Sequence, residues 1–487
     1  MSSALQERGA GVLLHPTSLP GVGWQGCLGD DAHRFIDFLA QCRFKYWQML
    51  PLNPVGGALS PYHSYSAFAG SALLICLERL KHLGIDLGDC RLITSAEKHK
   101  TALRRAHKLF HQQGDSILQG ELQQFIDAHR YWLHGYALFC ALKAHFNQAP
   151  WYEWPAAYRQ REDDALNQMR QQLAEEIGFY YFEQWIFYRQ WADVRNHAHA
   201  CNIQLIGDLP IFVAHDSADV WEHQMLFKID SSGHASVVTG VPPDYFSESG
   251  QRWGNPHYRW DVMAADDYNW WKQRVGRMLE LSDLTRIDHF LGFSSSWEIP
   301  AHEMTAIHGY WVNGPGDVFF ESLQKSFSPL PLIAEDLGIV TDDVVRLRER
   351  FELPGMKILQ FAFDSDSSNP YLPHNHQPNG VIYTGTHDNN TTMGWYNGLP
   401  DRVRQRVHTY FGESPEPMPW LLIRGAFASV CHLAIVPMQD LLSLGAEHRM
   451  NVPGTTEGNW SWRFKWEDID PGVAAKVAAM LTLYGRA

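Results

Sequence analysis

Apolar residues gather along the chain in short runs. Each run ends in polar residues and is followed by a stretch of other spacing. The runs are GVLLHP (11–16), YWQMLPL (46–52), IQLIGDLPIF (203–212), LTRIDHF (284–290), LPLIAEDLG (330–338), MKILQFAFD (356–364), VIYTGTHD (381–388) and LAIVPMQD (433–440). Runs this short and this apolar predict buried strands. Between them, DDAHRFIDFLAQC (30–42), TDDVVRLRERF (341–351) with Thr341 as N-cap, and PWLLIRGAFAS (419–429) predict helices. Strands alternating with helices predict a parallel sheet, and eight repeats favour a closed barrel over an open sheet. The expected fold is α/β: a (β/α)8 TIM-type barrel with helical and loop insertions, one domain over residues 1–487. Too little chain follows Arg463 for a C-terminal β-sandwich.

Two stretches exceed a minimal barrel. After the second strand, residues of about 77–178 predict a helical insertion that includes SAEKHKTALRRAHKLFHQQ (95–113), and a long aromatic helix, FYYFEQWIFYRQWADVRNHAHA (179–200), follows it. After the third strand, residues of about 214–283 form a second insertion. It carries GVPPDYFSESGQRWGNP (240–256), whose Gly, Pro and aromatic content predicts a working loop.

Composition narrows the function classes. The formal charge is −14 with pI about 5.9, and there is no Lys/Arg stripe, so neither nucleic acid nor an anionic membrane is expected as partner. No apolar stretch reaches the roughly 18 residues of a membrane span. MSSALQERGAG lacks the apolar core of a signal peptide. The 7 cysteines are odd in number and scattered, without a CxxC pair, which predicts reduced thiols and a cytoplasmic chain. No GxxxxGK[ST] loop follows a strand, and no HExxH appears among the 25 histidines, so no cofactor and no catalytic metal are expected. Much of the 19 Trp, 19 Tyr and 25 Phe is expected in the core, and the excess of Trp also suits a site that stacks sugar rings.

Barrel chemistry sits at the C-terminal ends of the strands. There the chain places Asp208, Asp288, Glu335 with Asp336, and Asp388. The intervals put Asp288, Glu335 and Asp388 at the ends of strands 4, 5 and 7, converging on one mouth. Arg286 lies two residues before Asp288, hence on the same strand face, and is a fixed cation that favours the charged carboxylate. A carboxylate held negative opposite a carboxyl that can be kept protonated is the retaining glycosidase arrangement. Asp336 must point to the other side of the strand end, as a structural group.

The chain resembles the amylomaltases, the 4-α-glucanotransferases or disproportionating enzymes related to the α-amylase clan. The resemblance covers nearly the whole chain. Its landmarks are SPYHSYSAFAG (60–70), GDLPIFVAHDSADVW (207–221), GVPPDYFSESGQRWGNP (240–256), RIDHF (286–290), AEDLG (334–338), LPGMKILQFAF (353–363), YTGTHDNNTT (383–392) and GNWSWR (458–463). It implies Asp288 as nucleophile, Glu335 as general acid/base and proton carrier, with its pKa expected to be raised by Asp288 and Asp388, and Asp388 as the third carboxylate, which binds hydroxyls of the donor sugar. It further implies Arg286 and His387 as supporting contacts, Asp208 at the end of strand 3, and Tyr62 as the ring stacked on the donor glucose. Tyr245, Phe246 and Trp253 would belong to a lid over the acceptor path. Leu291 and Asn390 depart from the family pattern, where Arg and Asp are common.

The implied function is transfer of an α-1,4-glucan segment to the 4-hydroxyl of an acceptor glucose or glucan, with maltooligosaccharides as partners. A hydrolase of the same clan uses the same acids and stays open as an alternative. So does a catalytically dead glucan-binding protein, which the intact acids argue against. The missing β-sandwich and the 240–256 loop, a means of excluding water, favour transfer.

Overall fold

The structure is a computed structural model. It describes residues 5–21, 23–56, 59–243, 247–412, 416–455 and 457–487. Eight parallel strands close a barrel: β1 (Gly9–Leu13), β2 (Tyr46–Gln48), β3 (Gln204–Pro210), β4 (Leu284–Asp288), β5 (Leu332–Ala334), β6 (Gly355–Ile358), β7 (Gly380–Tyr383) and β8 (Leu433–Pro437). Each strand neighbours the next in sequence, and β8 closes on β1 with Gly9 opposite Leu433. All eight overlap the apolar runs; β1 begins two residues before its run, and β6 and β7 one residue before theirs. The period-2 alternation of a strand sorts their side chains into two layers. Leu13, Ile206, Leu284, Ile333, Met356, Ile358, Val381 and Ile435 fill the interior. Val12, Trp47, Leu205, Ile287 and Leu332 pack outward against the helices.

The helix Asp30–Gln41 shows how the outer layer forms. Ala32, Phe35, Ile36 and Leu39 recur on one face and are buried, while Asp30 and Asp31 occupy the first turn, where the helix dipole favours acids. Phe35 meets Trp47 of β2 edge-on, ring centroids 5.0 Å apart. Asp342–Arg350 and Trp420–Ala428 are the other two expected helices. Thr341 does occupy the N-cap position, but its side chain makes no capping bond.

Between β2 and β3 the chain runs through helices Ala96–Gln113, Ser116–Ala128, Arg130–His145, Asp163–Gln172 and Ala174–Ala200. The last is 27 residues long and, from Phe179 to Tyr188, buried or half-buried on every face. It has two sets of neighbours, which explains that pattern. Its first half is packed among the helices before it; farther along, Trp191 Nε1 donates to Leu281 O at 3.0 Å in the barrel layer.

The 240–256 segment departs from the expected loop. Val237–Val241 and Gln251–Pro256 are antiparallel strands of a small four-stranded sheet, completed by Ser295–Pro300 and Tyr310–Asn313. Trp253 therefore stands on a strand. The sheet draws its strands from the chain after β3 and from the chain after β4, a pairing that no local pattern announces.

Candidate active site

Strand parity builds the mouth. On β4, Leu284, Arg286 and Asp288 point inward one above another. On β3, Asp208 stands above Ile206. On β5, Ile333 is inward, so Glu335 is inward and Asp336 outward. Register then sets the neighbours: Asp208 is opposite Arg286, Arg286 opposite Ile333, and Ile287 opposite Ala334. The ladder continues past β5, where Glu335 N donates to Ile287 O and Phe290 N to Glu335 O, both at 3.1 Å. Asp288 and Glu335 are thus held side by side by backbone.

Arg286 anchors the acids. Its Nη1 donates to both carboxylate oxygens of Asp208, at 2.7 and 2.8 Å, and its Nη2 donates to Asp288 Oδ1 at 2.9 Å. Tyr62 OH donates to Asp208 Oδ2 at 2.6 Å. Arg286 and Asp208 are buried. Burial pushes the Asp208 carboxyl above its ordinary range, against the pull of Arg286.

One guanidinium cannot neutralise three carboxylates in so dry a place. Glu335 makes no ion pair among the described residues. Its pKa is pushed up to about 8, first by burial, then by the negative charges of Asp288 and Asp336, while Arg286 opposes the rise. This corrects the expectation that Asp288 and Asp388 are the cause: burial dominates, and Asp388 is not among the leading contributions. Glu335 also accepts from two backbone N–H groups, His289 N at 2.6 Å and Leu337 N at 3.2 Å. His289 turns its N–H this way by adopting the left-handed region, φ +52°. Such a conformation is uncommon outside glycine and clusters at working sites.

Asp336 faces the other way. It accepts from Met356 N at 2.7 Å and pairs with Arg348 at 3.3 Å. A side chain at Gly355 would put Cβ 2.5 Å from its Oδ2, so glycine is needed at that position.

Asp388 reaches the same mouth five residues beyond β7, but in a wetter setting. Its side chain is 48% exposed and lies 3.4 Å from His387 Nε2. Asn451 Nδ2 donates to its Oδ1 at 2.7 Å, and Arg449 donates to its backbone carbonyl at 2.8 Å. The loop carrying it is fixed from the end of β8: the buried Asp440 accepts from the hydroxyls of Thr384 and Thr392, each at 2.6 Å, and from Thr392 N at 2.8 Å. His387 stacks on Tyr62, centroids 5.2 Å apart and rings 15° from parallel. Trp460 flanks both rings at 6.0 and 6.1 Å.

Trp253 stands at the rim, 37% exposed, its ring 4.8 Å from that of His289 and perpendicular to it. It lies beside the turn that holds Glu335. Tyr245 and Phe246 lie outside the described residues. Arg449, Asn451, Asp440 and Trp460 are site residues that sequence reasoning missed. Trp460 sits within the GNWSWR landmark, and Asp440 ends the eighth apolar run; Arg449 and Asn451 carry no local signal.

A closed parallel barrel whose mouth holds a guanidinium shared by two aspartates, with a buried glutamate beside them, marks that mouth as the candidate active site of a barrel enzyme. The family model described as 4-alpha-glucanotransferase matches residues 14–468. The 4-alpha-glucanotransferase of Thermus thermophilus is 45% identical, covering 97% of this chain and 98% of its own. That of Synechocystis sp. is 43% identical, covering 99% of each. The solved amylomaltase from Streptococcus agalactiae, in complex with acarbose, superposes with a TM-score of 0.96 at 37% identity, over 99% of this chain and 100% of its own. The chain belongs to the 4-alpha-glucanotransferase family of glycosyltransferases. Among the described residues, no helix is long and apolar enough to cross a membrane.

Proposed function

We propose that this chain moves a segment of an α-1,4-glucan to the 4-hydroxyl of an acceptor glucose or glucan by retaining double displacement. The observation that carries the reading is the pair at the ends of β4 and β5: Asp288 ion-paired to Arg286, and Glu335 kept protonated beside it. Glu335 gives its proton to the glycosidic oxygen while an Asp288 oxygen attacks the anomeric carbon. The leaving glucan departs with a free 4-hydroxyl, and a covalent glycosyl ester remains on Asp288. Glu335, now a carboxylate, takes the proton of an acceptor 4-hydroxyl as that oxygen attacks the same carbon. Asp288 is released, and Glu335 is protonated again.

The other residues take supporting roles in this reading. Asp388 accepts from hydroxyls of the donor sugar, with His387 beside it. Arg286 and Asp208 fix the nucleophile, and Tyr62, Tyr245, Phe246 and Trp253 present ring faces to the glucan. The segments of about 77–178 and 214–283 act as insertion subdomains that shape the approach, the second of them carrying the lid. The acarbose complex of the related amylomaltase supports maltooligosaccharides and α-1,4-glucans as partners. Free thiols at all 7 cysteines support a cytoplasmic setting.

Transfer requires that a sugar outcompete water. A well-oriented bound nucleophile can act as if present at roughly 10⁵ M, and exclusion of water by a cover over the site does the rest. Pure maltotriose should therefore yield glucose and a ladder of longer maltooligosaccharides with reducing ends almost constant. Trp253→Ala should raise the hydrolysis-to-transfer ratio. Reducing ends that rose in step with substrate loss in the wild type would establish a hydrolase instead.

A further inference from the structure

Outside the barrel, a carboxylate, a thiol and an imidazole meet where two helices cross. Asp37 projects from the helix Asp30–Gln41. His197 lies in the last turn of the helix Ala174–Ala200, and Cys201 follows that helix directly, four residues on and so on the same face. His197 Nε2 lies 2.8 Å from Asp37 Oδ1, and Cys201 Sγ lies 3.9 Å from that oxygen and 4.0 Å from that nitrogen. We propose that Asp37, His197 and Cys201 bind a zinc-type divalent transition metal, with water in the fourth position.

Three observations favour a metal over other readings. First, the donors converge. In a nucleophilic relay the carboxylate would hold one ring nitrogen and the thiol would face the other. Here both address Nε2, so no relay can run, and all three donor atoms lie within 4.8 Å of one another. Tetrahedral zinc, with bonds of about 2.0 Å to nitrogen and oxygen and about 2.3 Å to sulfur, needs donors roughly 3.3–3.5 Å apart. The observed spacings bracket that value. Second, the charges suit: a carboxylate, a thiolate and a neutral imidazole exactly balance a dication, and the C-terminal end of a helix favours a cation. Third, access suits. The Asp37 side chain is 51% exposed and that of His197 is 32% exposed, so an ion can enter and one face stays open to water. The neighbouring His33 is not counted as a ligand, because its Nδ1 is 3.0 Å from Gly29 O and its Nε2 faces Arg79. His199 is turned away to Asp283 at 3.0 Å.

The site would pin the helix after β1 to the long helix before β3, apart from the barrel mouth. The test uses the full chain, stripped with EDTA and dialysed, then titrated with Co²⁺ and Zn²⁺. One equivalent of Co²⁺ should give a thiolate-to-cobalt charge-transfer band in the near ultraviolet, and Zn²⁺ should bleach it. Cys201→Ser and His197→Ala should abolish the band and lower Zn²⁺ affinity at least about 100-fold, with transferase activity unchanged as the check on folding. Asp37→Asn should weaken binding, and His199→Ala should leave it intact. Absence of the band, or its survival in Cys201→Ser or His197→Ala, would overturn the assignment.

Discussion

At the mouth of the barrel, buried charge is left only partly compensated: Arg286 serves both Asp208 and Asp288, and burial without a counter-charge of its own holds a proton on Glu335. At the floor, the buried charge is Arg486; burial and the nearby Arg8 pull its pKa down to about 9, yet every one of its donors is met by a neutral group. Its guanidinium donates to the carbonyls of Gly9, Phe427, Ser429, Cys431 and His432 at 2.7–3.0 Å. It ties the start of β1 to the turn before β8. The two ends of one barrel thus use buried ions in opposite ways. The floor satisfies every donor and gains rigidity; the mouth keeps proton and charge in tension, which is what proton transfer and nucleophilic attack require.

The sharpest way to break this comparison is Asp288→Asn. It should cut maltotriose turnover by about 10⁴-fold or more while the protein still folds and binds oligosaccharide. More than a tenth of the activity remaining would remove Asp288 from the nucleophile's role. Glu335→Gln should cost about 10²–10⁴-fold on maltotriose. With a glucosyl fluoride donor, whose leaving group needs no acid, the first step should largely survive; equal loss on both donors would count against the acid. In the wild type, kcat/KM should fall as pH rises through about 8, where Glu335 gives up its proton.

Arg486→Ala should do the reverse of these. Leaving buried carbonyls unpaired should cost about 3 kcal/mol or more of stability, read by urea denaturation, with kcat of the folded fraction unchanged. A large loss of kcat there would blur the division between floor and mouth. Asp388→Asn should be milder than either acid variant, about 10–100-fold in kcat/KM, the worth of charge-assisted hydrogen bonds to one sugar.

The smallest effect is on the pH dependence of stability. Burial lowers His223, His257, His289 and His376 to about 4 and His15 to about 3. From about pH 4 to 6.5 the unfolded chain binds protons that these folded histidines refuse, so stability should rise with pH. Burial raises Glu183 and Glu222 to about 7 and Glu335 to about 8. These folded acids hold protons that the unfolded chain loses from about pH 4.5 upward, so they oppose the larger set of histidines up to about pH 6.5 and act alone from there to about 8, where stability should fall. Tm should peak near pH 6.5, and Glu183→Gln should flatten the alkaline slope; an unchanged slope would exclude Glu183 from it.

The eight barrel strands were legible in the sequence because a strand is a local pattern. The facing of Glu335 and Asp336 was legible for the same reason, since the alternation that sends Ile333 inward sends Glu335 inward and Asp336 out. Arg286 beside Asp288 follows from the same period of two. Only the tertiary structure decided the rest. Asn451 and Arg449 hold Asp388 across a gap of some sixty residues of chain with no periodicity to connect them. The sheet carrying Trp253 pairs strands from either side of β4, and Asp37 meets His197 and Cys201 only because two helices cross. Burial, too, is a property of the folded whole: it raises Glu335 more than any neighbouring charge does, and the spacing of acids along a chain holds no measure of it.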